Sequence, residues 1–287
     1  MVTRNEPQHA SEYEQRTTEA VKSVLLEMGQ ILGSYRGKFT VVGGSVPWLL
    51  LEAEDMEHVG TMDVDIALSA EALGDGEYAR LVESLIAQGY HFREGRRKFQ
   101  LHRTVPTADG GGSIDVIIDF LMPKDASVVK NNPPLVDDFA VIRASGADLA
   151  VKYFEMVALA GNMPNGGTNK VEIAVCSIPA FLAMKGHAMQ GRYKQKDAYD
   201  IYYSVRNYPD GIDVLAEKCA EILQQESGKL GYDLINQKFN VLDGYGPTCV
   251  RKFVEGSGIL DGRSPEEWQQ DAFGQVDALM QAMKLRG

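Results

Sequence analysis

Apolar and polar positions in the first part of the chain predict helices mixed with short strands. Apolar residues recur every three or four positions over 12–32, which predicts a helix there. Shorter helices are predicted over 46–56, 77–88 and 147–160. Runs of β type occupy residues 38–42, 62–68, 98–105, 113–121, 139–143 and 171–176. This mixture predicts an α/β domain over residues 1–178.

After residue 178 the pattern becomes helical. Helices are predicted over 179–190, 195–206, 213–226 and 265–284. These segments form a second, helical domain over residues 179–287. The predicted fold class is therefore α+β, a mixed sheet with flanking helices followed by a C-terminal helical domain.

A glycine turn follows the first predicted strand, where Gly43 and Gly44 precede Ser45. Glycine lets the backbone approach a phosphate closely, and the start of the next helix favours anions. The Ser45 hydroxyl can donate to a phosphate oxygen. An ordinary strand-to-helix turn is the other interpretation, and the acidic strand that follows the turn favours the phosphate site.

Two predicted strands carry pairs of aspartates between apolar residues. Asp63 and Asp65 share one face of the second strand, and Asp115 and Asp119 share one face of the fourth. Aspartate is unfavourable in a strand and grouped like charges destabilise, so a bound cation would resolve the conflict. Carboxylates are the hard oxygen ligands that Mg²⁺ prefers. We expect Asp63 and Asp65 to bind Mg²⁺ or Mn²⁺, with a third carboxylate from Asp119 or Asp115.

A second charged group lies at the start of the helical part. Lys185 is followed on the next helix by Lys196, Asp197 and Asp200. One interpretation is a solvated helix whose charge pairs contribute a few tenths of a kcal/mol, on the order of 0.3 kcal/mol each. The other is a functional concentration of positive charge in an otherwise acidic protein.

Composition narrows the function classes. The net charge of −11 argues against a general polyanion-binding surface but allows a local basic groove. No P-loop motif occurs, which excludes that class of NTPase. The three cysteines have no paired spacing, and no apolar run approaches the roughly 20 residues needed to span a bilayer. We therefore expect a cytoplasmic protein with reduced thiols and no membrane partner.

The order of these motifs resembles that of a known superfamily. Gly-Gly-Ser, a helix and then Asp-x-Asp on the next strand resemble the polymerase-β-like nucleotidyltransferases. Residues 179–203, PAFLAMKGHAMQGRYKQKDAYDIYY, are similar to AbiEii/AbiGii-type nucleotidyltransferases, which include toxins of type IV toxin–antitoxin systems. The likeness covers roughly residues 38–205. It implies a polymerase-β-like sheet and a helical domain that completes the cleft for nucleotide and acceptor.

The resemblance also implies roles for individual residues. Asp63 and Asp65 would hold magnesium. Asp119 is favoured over Asp115 as the third carboxylate, because IDFLMP resembles the third motif more closely, and it would help to deprotonate the acceptor hydroxyl. Lys185 and Asp197 are implied as further catalytic residues, and the implied nucleotide contacts are Gly43, Gly44, Ser45, Lys196 and Asp200.

The implied activity is metal-dependent transfer of a nucleoside monophosphate, or a short nucleotide tail, from an NTP to a hydroxyl. The preferred acceptor is RNA such as tRNA, with the protein acting as a toxin that has a cognate antitoxin. An aminoglycoside-like small molecule is an alternative acceptor, and the negative total charge suits a cationic antibiotic better than RNA. A non-catalytic interaction module of the same fold is the alternative from another class.

Overall fold

The computed structural model describes residues 7–35, 37–52, 56–69, 77–93, 100–107, 110–124 and 142–286. The described chain forms two compact units. One, the sheet unit, lies within residues 15–46 and 60–177. The other, the helical unit, lies within residues 2–14, 47–59 and 178–287.

In the described chain the sheet has seven strands and mixed topology. The strands are β1 (Phe39–Val42), β2 (Asp63–Leu68), β3 (Gln100–Pro106), β4 (Ser113–Pro123), β5 (Ile142–Ala144), β6 (Phe154–Asn162) and β7 (Thr168–Cys176). Their order is β3-β4-β2-β1-β7-β6, with β5 also beside β4. Strand β2 pairs antiparallel with β1 and parallel with β4.

The first four α-helices are α1 (Gln15–Ile31), α2 (Ser45–Leu50), α3 (Glu77–Ala87) and α4 (Ala147–Lys152). Helices α1 and α3 cover the apolar face of the sheet. Tyr78 of α3 packs edge-on against Phe120 of β4, with ring centroids 6.3 Å apart. Glu27 of α1 accepts two hydrogen bonds, of 2.7 and 2.8 Å, from the Arg103 guanidinium on β3.

The aspartates lie on the opposite face of the sheet from this core. Val64 and Ile66 of β2 are fully buried, whereas Asp63 and Asp65, which alternate with them, are partly exposed. The same alternation continues across β4. The strands thus bury their apolar residues under α1 and α3 and turn their carboxylates the other way.

The helical unit contains α5 (Ile178–Gly191), α6 (Gln195–Arg206), α7 (Gly211–Leu223), α8 (Glu226–Lys238), α9 (Tyr245–Val254) and α10 (Pro265–Ala282). Aromatic side chains form much of its core, including Tyr199, Tyr202, Tyr203, Phe253 and Trp268, all fully buried. Helix α10 begins with a capping box, in which the Ser264 hydroxyl accepts from the Glu267 N–H and the Glu267 carboxylate accepts from the Ser264 N–H.

The α+β prediction is confirmed, but several element predictions are wrong. The predicted helix over 147–160 ends at Lys152, and β6 follows because the chain pairs with β7 as a hairpin. Helix α2 ends at Leu50 rather than at residue 56. Parts of the predicted strands, at 98–99 and 139–141, lie outside the described residues.

Helices α8 and α9 were not predicted at all. Helix α8 contains Gly228 and Gly231, which lower helix propensity. A Cβ on Gly231 would lie 2.3 Å from the Ala183 carbonyl oxygen, so α8 packs backbone against α5 at this glycine. Tertiary packing therefore outweighs the local preference. None of the described helices is long and apolar enough to cross a bilayer.

Candidate active site

The glycine turn after β1 contacts the second aspartate of β2. Gly43 has φ of +70°, a region that L-amino acids with side chains rarely adopt. A Cβ at this position would lie 1.9 Å from Asp65 Oδ2, so only glycine allows the observed approach. Val42, the residue before the turn, is the register partner of Asp65. The predicted turn and the predicted acidic strand are thus in direct contact.

Strand pairing brings one aspartate from each acidic strand side by side. In the parallel β2–β4 ladder, Asp65 is the register partner of Asp119. Neighbouring strands lie about 4.8 Å apart, and paired residues point to the same face. Asp63 pairs with Ile117, one side-chain position along the same face. The register therefore places Asp63, Asp65 and Asp119 on one face.

The three carboxylates do not form a ready three-ligand cluster. Among the residues that the structure describes, no three acidic, histidine or cysteine side chains group closely enough to hold a metal ion. Asp63 Oδ1 instead accepts a hydrogen bond of 3.2 Å from the Thr61 hydroxyl. The donor set is nevertheless of the hard-oxygen type that Mg²⁺ and Mn²⁺ take.

Ser45 lies at the start of α2, and its side chain is 1% exposed. Its hydroxyl has no hydrogen-bond partner among the described residues. A buried hydroxyl without a partner costs free energy, so it marks a place where a polar group of a ligand would be stabilised. A phosphate oxygen is such a group, and Gly43 and Gly44 precede this hydroxyl in the same turn.

Asp115 already has partners in the protein. Its carboxylate accepts a hydrogen bond of 2.7 Å from His102 Nδ1 and lies 3.2 Å from the Arg93 guanidinium. It is four residues from Asp119, which corresponds to about 13 Å along the strand. Strand β2 begins at Asp63, which pairs with Ile117, so the strand does not extend to Asp115. The structure therefore brings Asp119, and not Asp115, beside Asp65.

In the helical unit, the predicted charged residues form one buried network. Lys185 Nζ lies 2.7 Å from Asp197 Oδ1 and 2.8 Å from Asp200 Oδ2. Lys196 Nζ donates to Asp200 Oδ1 at 2.7 Å. Arg192, which is half exposed, donates to both oxygens of Asp197 at 2.8 and 2.9 Å. The lysines and aspartates thus form ion pairs with one another inside the helical unit.

This network holds its carboxylates ionised. Burial raises the pKa of Asp197, but the positive charges of Lys185 and Arg192 outweigh it and lower that pKa to about 2. The pKa of Asp200 is also well below its usual value, because Lys185 and Lys196 overcome the effect of burial. Burial lowers the pKa of Lys196, and Asp200 only partly opposes this shift.

A sequence model of the nucleotidyl transferase AbiEii toxin family of type IV toxin–antitoxin systems matches residues 61–272. The chain belongs to the AbiEii family. The match includes the Asp-x-Asp strand, β4 and the buried charged network, while Gly43, Gly44 and Ser45 precede it. The AbiEii family is one of nucleotidyltransferase toxins, which agrees with the resemblance of the sequence motifs.

Two solved structures are similar to this AbiEii chain over nearly its whole length. A proposed nucleotidyltransferase from H. pylori is 10% identical, with a TM-score of 0.44, and the match covers 94% of this chain and 98% of that one. The JHP933 protein from Helicobacter pylori is 10% identical, with a TM-score of 0.39 and coverage of 93% and 94%. A comparison with curated proteins finds no match.

Two histidines of the AbiEii chain, which the sequence patterns did not predict as site residues, contact predicted aspartates. The His58 side chain is buried, and its Nε2 lies 3.0 Å from Asp200 Oδ1. Burial and the charge of Lys196 lower the pKa of His58 to about 4, so it is neutral at pH 7. His102 orients towards Asp115. Side-chain alternation along β3 could have predicted which face of the sheet His102 shares. No local pattern could have predicted the role of His58, because its partner is distant in sequence.

Proposed function

We propose that this AbiEii-family chain transfers a nucleoside monophosphate from an NTP to an acceptor hydroxyl in a metal-dependent reaction. The observation that carries the proposal is the position of Asp65, which lies between the Gly43 turn and its register partner Asp119. Family membership supports the class of reaction. Asp65 and Asp119 would hold Mg²⁺ or Mn²⁺, with Asp63 as the third ligand.

In this reaction the acceptor oxygen forms a bond to the α-phosphorus while the bond to the bridging oxygen breaks and pyrophosphate leaves. The metal, when bound, offsets the phosphate charge and lowers the barrier to attack. Ser45 would donate its unpartnered hydroxyl to a phosphate oxygen. Asp119 would accept the proton of the acceptor hydroxyl.

The helical-unit residues have a different part in the proposal. Lys185, Lys196, Asp197 and Asp200 were assigned to the nucleotide by resemblance, and in the structure they are bound to one another and buried. Within the helical unit, the half-exposed end of this network is Arg192, which would contact a phosphate of the acceptor. Lys185, Asp197 and Asp200 would position that guanidinium.

RNA such as tRNA is the preferred acceptor, and an aminoglycoside-like molecule is the alternative that the negative charge favours. A cognate antitoxin and a cytoplasmic location belong to the same proposal. All three cysteines are buried free thiols, which suits a reducing compartment.

The test supplies each radiolabelled NTP separately, with Mg²⁺, to the full chain and either tRNA or an aminoglycoside. We expect label in tRNA, and its loss with chelator. Asp65→Asn and Asp119→Asn should lower the rate by about 10³-fold or more, because each removes a charge that offsets several kcal/mol.

Asp115→Asn is the matched control, since it removes the same charge from the same face of β4. We expect it to retain activity within about tenfold, because its carboxylate contacts His102 and Arg93 instead. Label in the aminoglycoside alone would replace the RNA assignment. Absence of metal-dependent incorporation with every NTP would favour the non-catalytic module.

A further inference from the structure

An exposed aromatic ring lies among positive charges at one end of the helical unit. Tyr193 follows α5 and is 84% exposed. Its ring meets Tyr245, at the start of α9, edge to face with centroids 5.9 Å apart and an angle of 68°. Among the described residues the Tyr193 ring makes this edge contact, and most of its surface faces solvent.

One cation contacts this pair of rings, and two more lie close to it in the chain. Lys238 Nζ, in the last turn of α8, lies 4.7 Å from the Tyr245 ring centroid. Arg192 adjoins Tyr193 in sequence, with half of its side chain exposed. Lys252 is exposed and lies in α9, about two turns after Tyr245. The charges of Lys252 and Lys238 both act on Cys249, which is hydrogen-bonded to Tyr245. We call Arg192, Tyr193, Lys238, Tyr245 and Lys252 the Tyr193 patch.

The local charge of the Tyr193 patch is opposite to that of the chain. The net charge is −11, yet three of the five patch residues are cationic. Asp197, whose carboxylate acts on Tyr245, is fully buried and already bonded to Lys185. A positive region with an exposed aromatic ring suits a ligand that carries both negative charge and flat rings.

We propose that the Tyr193 patch binds single-stranded nucleic acid, with a base stacked on Tyr193 and backbone phosphates on Lys238, Lys252 and Arg192. Proteins that bind single strands combine aromatic stacking with cations that follow the backbone in this way. The inference rests on the proposed function, because it assigns the RNA acceptor a binding surface. It requires nothing of the metal-binding carboxylates.

The test measures fluorescence anisotropy of a labelled 12-nucleotide single-stranded RNA with the full chain, in chelator and without NTP. Tyr193→Ala should weaken binding by about 5- to 100-fold, the loss of one base stack, while Tyr193→Phe keeps the ring and should bind as the wild type does. The exposure of Tyr193 means that neither change should disturb folding, which a thermal melt checks.

A charge-matched pair of variants tests the phosphate contacts. Lys238→Gln should reduce the slope of log affinity against log salt by about 0.7. Lys218→Gln removes the same charge from an exposed position on α7 and should leave that slope unchanged.

Equal affinity of the Tyr193→Ala and wild-type chains for RNA would overturn the proposal. The proposal would also be overturned if Tyr193→Ala kept RNA binding but lost association with another protein. The patch would then be a protein-docking surface. Asp65→Asn separates the two ideas. If the chain and this variant bind RNA through Tyr193 but no label is ever transferred, the proposed activity fails and the binding surface stands.

Discussion

Replacing Gly43 with alanine tests whether the glycine turn positions the catalytic carboxylate. The new Cβ would lie 1.9 Å from Asp65 Oδ2 and 2.7 Å from its Cγ, whereas real Cβ contacts shorter than 3.0 Å essentially do not occur. The Asp65 carboxylate must therefore move by about 1 Å, and a misplacement of this size can lower a rate by about 10²-fold.

The same substitution strains the backbone. Alanine at φ of +70° costs about 1–2 kcal/mol. We expect Gly43→Ala to lower the free energy of unfolding by about 1–3 kcal/mol, measured by urea unfolding, and to lower transfer of label from NTP by about 10²-fold. The transfer assay is run well below the melting temperature, so that lost stability does not contribute to lost activity.

Gly33→Ala is the control, because nothing lies within 4 Å of a Cβ at that glycine. It should keep both activity and stability close to wild type. Wild-type transfer by Gly43→Ala would refute the claim that the turn sets the position of Asp65. Equal losses in both variants would show a general sensitivity of the sheet unit rather than a specific contact.

Buried charges give two further predictions. Glu27→Gln leaves the Arg103 charge poorly paired and should lower the free energy of unfolding, measured in urea, by about 3 kcal/mol. The control Glu266→Gln, at an exposed position, should lower it by less than about 0.5 kcal/mol. Equal effects of the two substitutions would contradict this prediction. Because the folded-state pKa of Asp197 is lowered from 3.8 to about 2, it contributes about 2 kcal/mol above pH 4 that is lost as pH falls towards 2. Urea midpoints of the wild type and Asp197→Asn should converge over that range, and a constant difference would refute the assignment.

Local patterns predicted the acidic strands because side-chain alternation is a property of each strand alone. Residues 62–68 and 113–121 alternate apolar and acidic positions, so the shared face of each aspartate pair follows from the period of a strand. Helices with regular apolar spacing, such as α1, α3 and α6, were predicted for the same reason.

Long-range packing decided the elements that were missed. Strand β6 contains residues that suit a helix and becomes a strand because β7 pairs with it. Helix α8 tolerates two glycines because α5 approaches its backbone. His58 acquires a role only through contact with Asp200, a residue 142 positions away in sequence.

The sequence by itself determined the candidate functional groups, namely a glycine turn, two acidic strand faces and a lysine-rich helical segment. It also determined the α+β class, since hydrophobic period is local information. The resemblance favoured Asp119 over Asp115, but only the tertiary structure sets Asp119 beside Asp65, because strand register depends on pairing between segments distant in the chain. It likewise decided that the predicted nucleotide-binding lysines are buried among carboxylates, since burial depends on what packs around a residue.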